Sequence, residues 1–85
     1  MRSFVHAIVD PLGFHARSCV TIAREASRWA SAVIVRDAER EADGKSMASL
    51  LALRARRGDV LSVTCKGPDE AEAASAIEAL MRMSL

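Results

Sequence analysis

The segment of this chain best suited to chemistry is Gly13-Phe14-His15-Ala16-Arg17, which sets an imidazole and a guanidinium two positions apart. Asp10-Pro11-Leu12-Gly13 precedes it with turn chemistry: a side chain that bonds its own backbone, a fixed φ and a permissive glycine. From Cys19 onward the apolar residues Cys19, Ile22, Ala23 and Ala26 recur at helical spacing, Val20 widens the stripe, and Arg24, Glu25 and Arg28 lie off it. His15 is therefore expected at or next to a helix N-cap. Unpaired backbone N–H groups and the positive end of the peptide dipole attract an anion there, above all a phosphoryl group. Imidazole is nucleophilic when neutral, and its ordinary pKa of about 6.5 leaves much of it neutral near pH 7. Arginine adds a permanent charge and a fork of donors suited to phosphate oxygens.

The elements that must hold this segment read as alternating strands and helices. Phe4 to Val9 is a β-rich run whose one polar member, His6, reads as structural or edge-exposed. Ser31 to Arg36 is a second strand, and Arg40 to Asp43 a short charged edge strand, joined by Asp37-Ala38-Glu39 without a glycine. Asp43-Gly44-Lys45-Ser46 breaks the pattern, and Ser46 is a candidate N-cap for a short amphipathic helix carrying Met47, Leu50 and Leu51. Arg54 to Gly58 forms a basic loop, Val60 to Cys65 a fourth strand and Gly67-Pro68 a turn. Asp69 with Glu72 has the form of a capping box opening a last helix, whose stripe is Ala73, Ala74, Ile77, Leu80 and Met81. The order β-α-β-β-α-β-α predicts an α+β fold, an antiparallel sheet with helices on one face. Trp29 reads as a plug of the core.

The 85 residues fit one domain, 1–85, able to bury roughly 60% of its unfolded surface without metal or disulfides. No apolar run approaches the ~18 residues of a membrane span and no signal-peptide pattern opens the chain, so a cytoplasmic protein is expected. The net charge of +1 argues against nucleic acid, as does the lack of tyrosine and of stacking aromatics on the strands. Charge is unevenly spread: residues 1–36 carry five basic and two acidic groups, residues 67–85 one basic and four acidic. Arg17, Arg24 and Arg28 recur along the first helix and are either a solvated face or a surface that steers an acidic or phosphorylated partner. Cys19 and Cys65 lack metal-ligand spacing. Cys65 reads as a buried hydrophobe; Cys19 either packs on its stripe or is a first-turn thiol of lowered pKa.

Over nearly its whole length the chain resembles the HPr phosphocarriers of the bacterial phosphoenolpyruvate-dependent phosphotransferase system. The matching residues are Gly13, His15, Ala16 and Arg17, the Lys45-Ser46 pair before a short apolar helix, and Gly67-Pro68-Asp69-Glu70 at the start of the last helix. The resemblance implies an open-faced sandwich of four antiparallel strands with three helices on one face. It implies a monomeric relay, not an enzyme with turnover and without a cofactor, in which His15 accepts phosphate on Nδ1 from phosphorylated enzyme I and passes it to enzyme IIA-type acceptors. Arg17 and the amides of Ala16, Arg17 and Ser18 stabilise the group. Arg24, Arg28, Met47 and Leu51 are then partner-binding residues. In many relatives the serine matching Ser46 is phosphorylated by an ATP-dependent kinase as a regulatory mark, and in others it is not. Two departures stand out. Ser18 occupies a position where relatives usually have proline, so it offers an additional amide and hydroxyl to an anion. Arg54-Ala55-Arg56-Arg57 stands where small or neutral residues are common; it is either a solvated loop or the mark of a specialised regulatory or nitrogen-branch paralogue with an acidic partner.

Overall fold

Val60-Leu61-Ser62-Val63-Thr64-Cys65-Lys66 alternates apolar and polar residues, and Leu61, Val63 and Cys65 are fully buried on one side while Ser62 and Thr64 look outward. The computed structural model describes residues 1–85 and places this segment at the inside of a sheet. The elements are β1 (Arg2–Ala7), α1 (Ala16–Ser27), β2 (Ala32–Asp37), β3 (Arg40–Asp43), α2 (Met47–Leu53), β4 (Val60–Lys66) and α3 (Glu70–Ser84). The strands lie in the order β1-β4-β2-β3, every neighbouring pair antiparallel. Leu61, Val63 and Cys65 of β4, Val33 and Val35 of β2 and Ala42 of β3 face the helices and form one core with Ile22 and Ala26 of α1, Leu50 of α2, and Ile77 and Met81 of α3. The other face, with Val5, Ile34, Arg36, Glu41 and the Ser3–Thr64 hydroxyl pair, is open to solvent. This is the expected open-faced sandwich. No helix is long and apolar enough to cross a membrane.

Several boundaries differ from expectation for local reasons. The first strand ends at Ala7, not Val9, because the amides of Val9 and Asp10 turn away to the carbonyl of Leu85, at 2.8 and 2.9 Å. His6 faces inward with its Nε2 buried and unbonded, a cost of about 1–3 kcal/mol. The β2–β3 hairpin closes without glycine because Ala38 itself takes φ 56°, the left-handed geometry a two-residue turn demands. Trp29 lines the rim of the core and does not plug it: it is half-buried, with Nε1 donating to Glu25 Oε2 at 3.1 Å.

The capping box expected at Asp69 and Glu72 does not form. The Asp69 carboxylate instead reaches across to the loop between α1 and β2, where it accepts from the N–H groups of Ala30 and Ser31 at 2.9 Å and from Ser31 Oγ at 2.5 Å. Three donors outside its own helix outcompete the one amide a cap would satisfy, and their hydrogen bonds hold the carboxyl below the usual carboxylate range. Glu70 turns back to the preceding loop, accepting from Gly67 N–H at 3.1 Å, and pairs with the ammonium of Met1.

Candidate functional site

The turn before His15 is built by hydrogen bonds that the residue types dictate. Asp10 Oδ1 accepts from Leu12 N–H at 2.9 Å, and Gly13 N–H donates to Asp10 O at 3.0 Å. Gly13 then takes φ 59° and Phe14 N–H donates to Ala55 O at 2.9 Å, which seats the turn on the 54–57 loop. Phe14 and Ala55 are both buried there. His15 follows in extended geometry as the N-cap of α1, and Cys19 N–H donates to its carbonyl at 2.9 Å.

His15 keeps 31% of its side chain exposed and lines a hollow of about 300 Å³ with Asp10, Leu12, Arg17, Ser18, Thr21 and Ser84. Its Nε2 stands 3.9 Å from Asp10 Oδ2, so Nδ1 is the nitrogen left facing α1. The amides of Ala16 and Arg17 donate to no protein oxygen. The Arg17 side chain is exposed and forms no ion pair, and its carbonyl accepts from Thr21 Oγ1 at 2.9 Å. His15 and the unpaired Arg17 thus line one open hollow at the first turn of α1, where the N–H groups of Ala16 and Arg17 are also unsatisfied. Chemically this is a nucleophile beside an anion cradle, accessible to a large partner.

Ser18 behaves differently from its two neighbours. It is 6% exposed, and its hydroxyl is committed inside the turn: Oγ accepts from His15 N–H at 3.0 Å and lies 3.1 Å from His15 O and 3.3 Å from Gly13 O, to which it donates. The hydroxyl is therefore not offered to an anion as the sequence suggested. The Ser18 N–H is turned toward the His15 side chain in the reciprocal half of a capping box, at a geometry short of a full hydrogen bond.

The other candidates fall in two places. Arg24 and Met47 line a groove between α1 and α2 with Val20, Ala23, Ser27 and Lys45. Lys45 Nζ donates to Trp29 O at 2.7 Å and ties the two helices together. Ser46 is the N-cap of α2, with Oγ accepting from Ser49 N–H at 3.1 Å. Leu51 is half-buried against the core, and Arg28 lies outside the groove, paired with Glu25 and stacked 5.8 Å from the Trp29 ring. Arg54, Arg56 and Arg57 are exposed without ion pairs, on the loop against which Gly13 packs. Cys19 is fully buried, and desolvation pushes its thiol up, as it does that of Cys65, so Cys19 packs on the stripe and the low-pKa alternative falls. Asp10 was legible only as a turn former. That it also faces His15 follows from the turn's closure, which brings position 10 back beside position 15.

Residues 3–83 match the family model described as "PTS HPr component phosphorylation site". The phosphocarrier protein HPr of Mycoplasma genitalium is 37% identical over 82 residues, covering 95% of this chain and 93% of that protein. The HPr of Treponema pallidum is 38% identical over 76 residues, covering 88% and 85%. Among solved structures, a mycoplasma histidine-containing phosphocarrier protein superposes with a TM-score of 0.95 at 28% identity, covering 98% of this chain and 94% of that one.

Proposed function

Since the chain belongs to the HPr phosphocarrier family of the phosphotransferase system, we propose that it takes a phosphoryl group onto His15 from phosphorylated enzyme I and passes it to enzyme IIA-type acceptors. The observation that carries this reading is the position of His15 at the N-cap of α1, at a helix start whose Ala16 and Arg17 amides are unsatisfied, with the unpaired Arg17 lining the same hollow. The Nδ1 lone pair attacks phosphorus, the N–P bond forms, and the donor's bond to phosphorus breaks with its electron pair leaving on the donor. The two amides and Arg17 neutralise the charge on the phosphoryl oxygens throughout. Transfer to an acceptor is the same step with the chain as leaving group. The protein is then a cytoplasmic monomeric relay whose phosphate is cargo, and it turns over no small molecule. Ser18 contributes through the turn it holds.

Partners would dock over the hollow at His15 and reach the separate α1–α2 groove lined by Arg24 and Met47. Ser46, half-exposed at the start of α2 beside that groove, is the regulatory position: phosphate added there changes docking by placing charge next to Met47. The test is incubation with phosphoenolpyruvate and enzyme I, followed by intact mass. An acid-labile added phosphate, absent in His15→Ala, supports the relay; no label with the cognate enzyme I overturns it. Loss of function in Ser46→Ala but not in His15→Ala would instead favour a regulatory protein that acts by binding, with the three loop arginines selecting an acidic partner.

A further inference from the structure

Two side chains that the transfer step does not consume grip His15 from opposite sides. Asp10 stands on the Nε2 side at 3.9 Å and is itself immobilised: Oδ1 holds Leu12 N–H, its own N–H donates to Leu85 O at 2.9 Å, and its carbonyl holds Gly13 N–H. Ser18 stands on the other side, buried, with Oγ bonded to the His15 backbone N–H and its own N–H turned toward the ring. A carboxylate only accepts, so the ring nitrogen beside it gains by carrying the proton. An amide N–H only donates, so the nitrogen before it gains by presenting a lone pair.

Both contacts favour one tautomer, and in the other the lone pair would face the carboxylate while the ring N–H faced the amides. We propose that Asp10 and Ser18 are positioning residues that set His15 with its proton on Nε2 and its lone pair on Nδ1 before any phosphoryl donor arrives. The pairing needs an acid at position 10 and a residue with both an N–H and a hydroxyl at position 18, and this chain supplies both. The purpose of the clamp rests on the phosphocarrier reading, but its test does not.

The experiment measures the ring ¹⁵N shifts of His15 in the full chain above the titration of the ring, with Asp10→Asn, Ser18→Ala and Ser18→Pro beside the wild type. Asp10→Asn keeps an oxygen for Leu12 N–H but loses the charge; Ser18→Ala removes the hydroxyl alone, and Ser18→Pro removes the hydroxyl and the N–H. Wild type is expected to show a pyridine-type Nδ1 and a pyrrole-type Nε2, with both shifts moving toward averaged values in Asp10→Asn and furthest in Ser18→Pro. Phosphorylation by phosphoramidate, a small donor that needs no protein interface, should slow by about three- to tenfold in those two variants, the size of one misplaced hydrogen bond. Ring shifts unchanged in both, in variants whose remaining spectrum is native, overturn the clamp. Shifts that move in a protein that no donor phosphorylates leave the clamp standing and remove the carrier reading.

Discussion

Gly13 and Ala55 meet backbone to backbone: a β-carbon on Gly13 would lie 2.5 Å from the Ala55 carbonyl oxygen and 2.8 Å from Arg56 Cα. The turn that carries His15 is thus seated on the basic loop through a contact only glycine allows, and with φ 59° the residue is doubly constrained. Gly13→Ala is expected to cost about 2–4 kcal/mol, from left-handed strain and the forced separation of the two loops. Denaturant unfolding reads the loss, and phosphorylation of His15 should fall with it.

Arg17 has no partner within the protein, so its removal leaves the fold intact. Arg17→Met should melt within about 0.5 kcal/mol of wild type, as surface changes do, while slowing acceptance of phosphate from enzyme I at least severalfold. Equal rates would show that the two free amides suffice alone.

The three arginines at positions 54, 56 and 57 are unpaired on the loop against which Gly13 sits. If they face an acidic partner, Arg56→Gln with Arg57→Gln should weaken binding to enzyme I, and the deficit should shrink as salt rises and screens the wild-type attraction. A deficit independent of salt would assign the loop a structural role only.

Ser46 caps α2, so the loss of its cap and the gain of charge can be told apart. Ser46→Ala removes the acceptor for Ser49 N–H and should cost about 1 kcal/mol. Ser46→Asp keeps a cap and adds charge beside Met47, so it should melt near wild type yet accept phosphate more slowly. Rates equal to wild type would remove the regulatory reading of the charge.

Asp69 makes stability depend on acid. Its carboxyl is held below the ordinary carboxylate range, first by Ser31 Oγ and then by Ala30 N–H, so the stabilisation is fully present above the ordinary pKa of about 3.9 and is lost as pH falls through the lower value of the folded state. Thermal melts of wild type and Asp69→Asn should differ by several degrees at neutral pH and converge below that range.

The sheet, the three helices and the place of His15 were legible because each rests on periodicity or on turn residues that act locally. The run Val60 to Cys65 is the strand it was expected to be, with Cys65 buried, and the stripe of Cys19, Ile22 and Ala26 faces the core as expected. What stayed hidden depends on residues far apart in the chain. Asp69 has the local form of a cap, and only the fold reveals that Ala30 and Ser31 compete for it. Asp10 reads as a turn residue until the turn closes on His15. Ser18 was read as facing an anion, and nothing in its neighbours shows that burial turns its hydroxyl back to Gly13 and His15.

The partnership of β1 with β4 also fixes when the site comes into being. Ser3 and Thr64, 61 positions apart, sit side by side, and Ile8 is held by Asp59 while Val9 and Asp10 are held by Leu85. Closing so long a loop precedes any gain from it, which makes this a late and slow event in folding. A chain emerging from the ribosome therefore presents His15 and Arg17 long before Asp59 and Leu85 are there to hold the segment that leads into them.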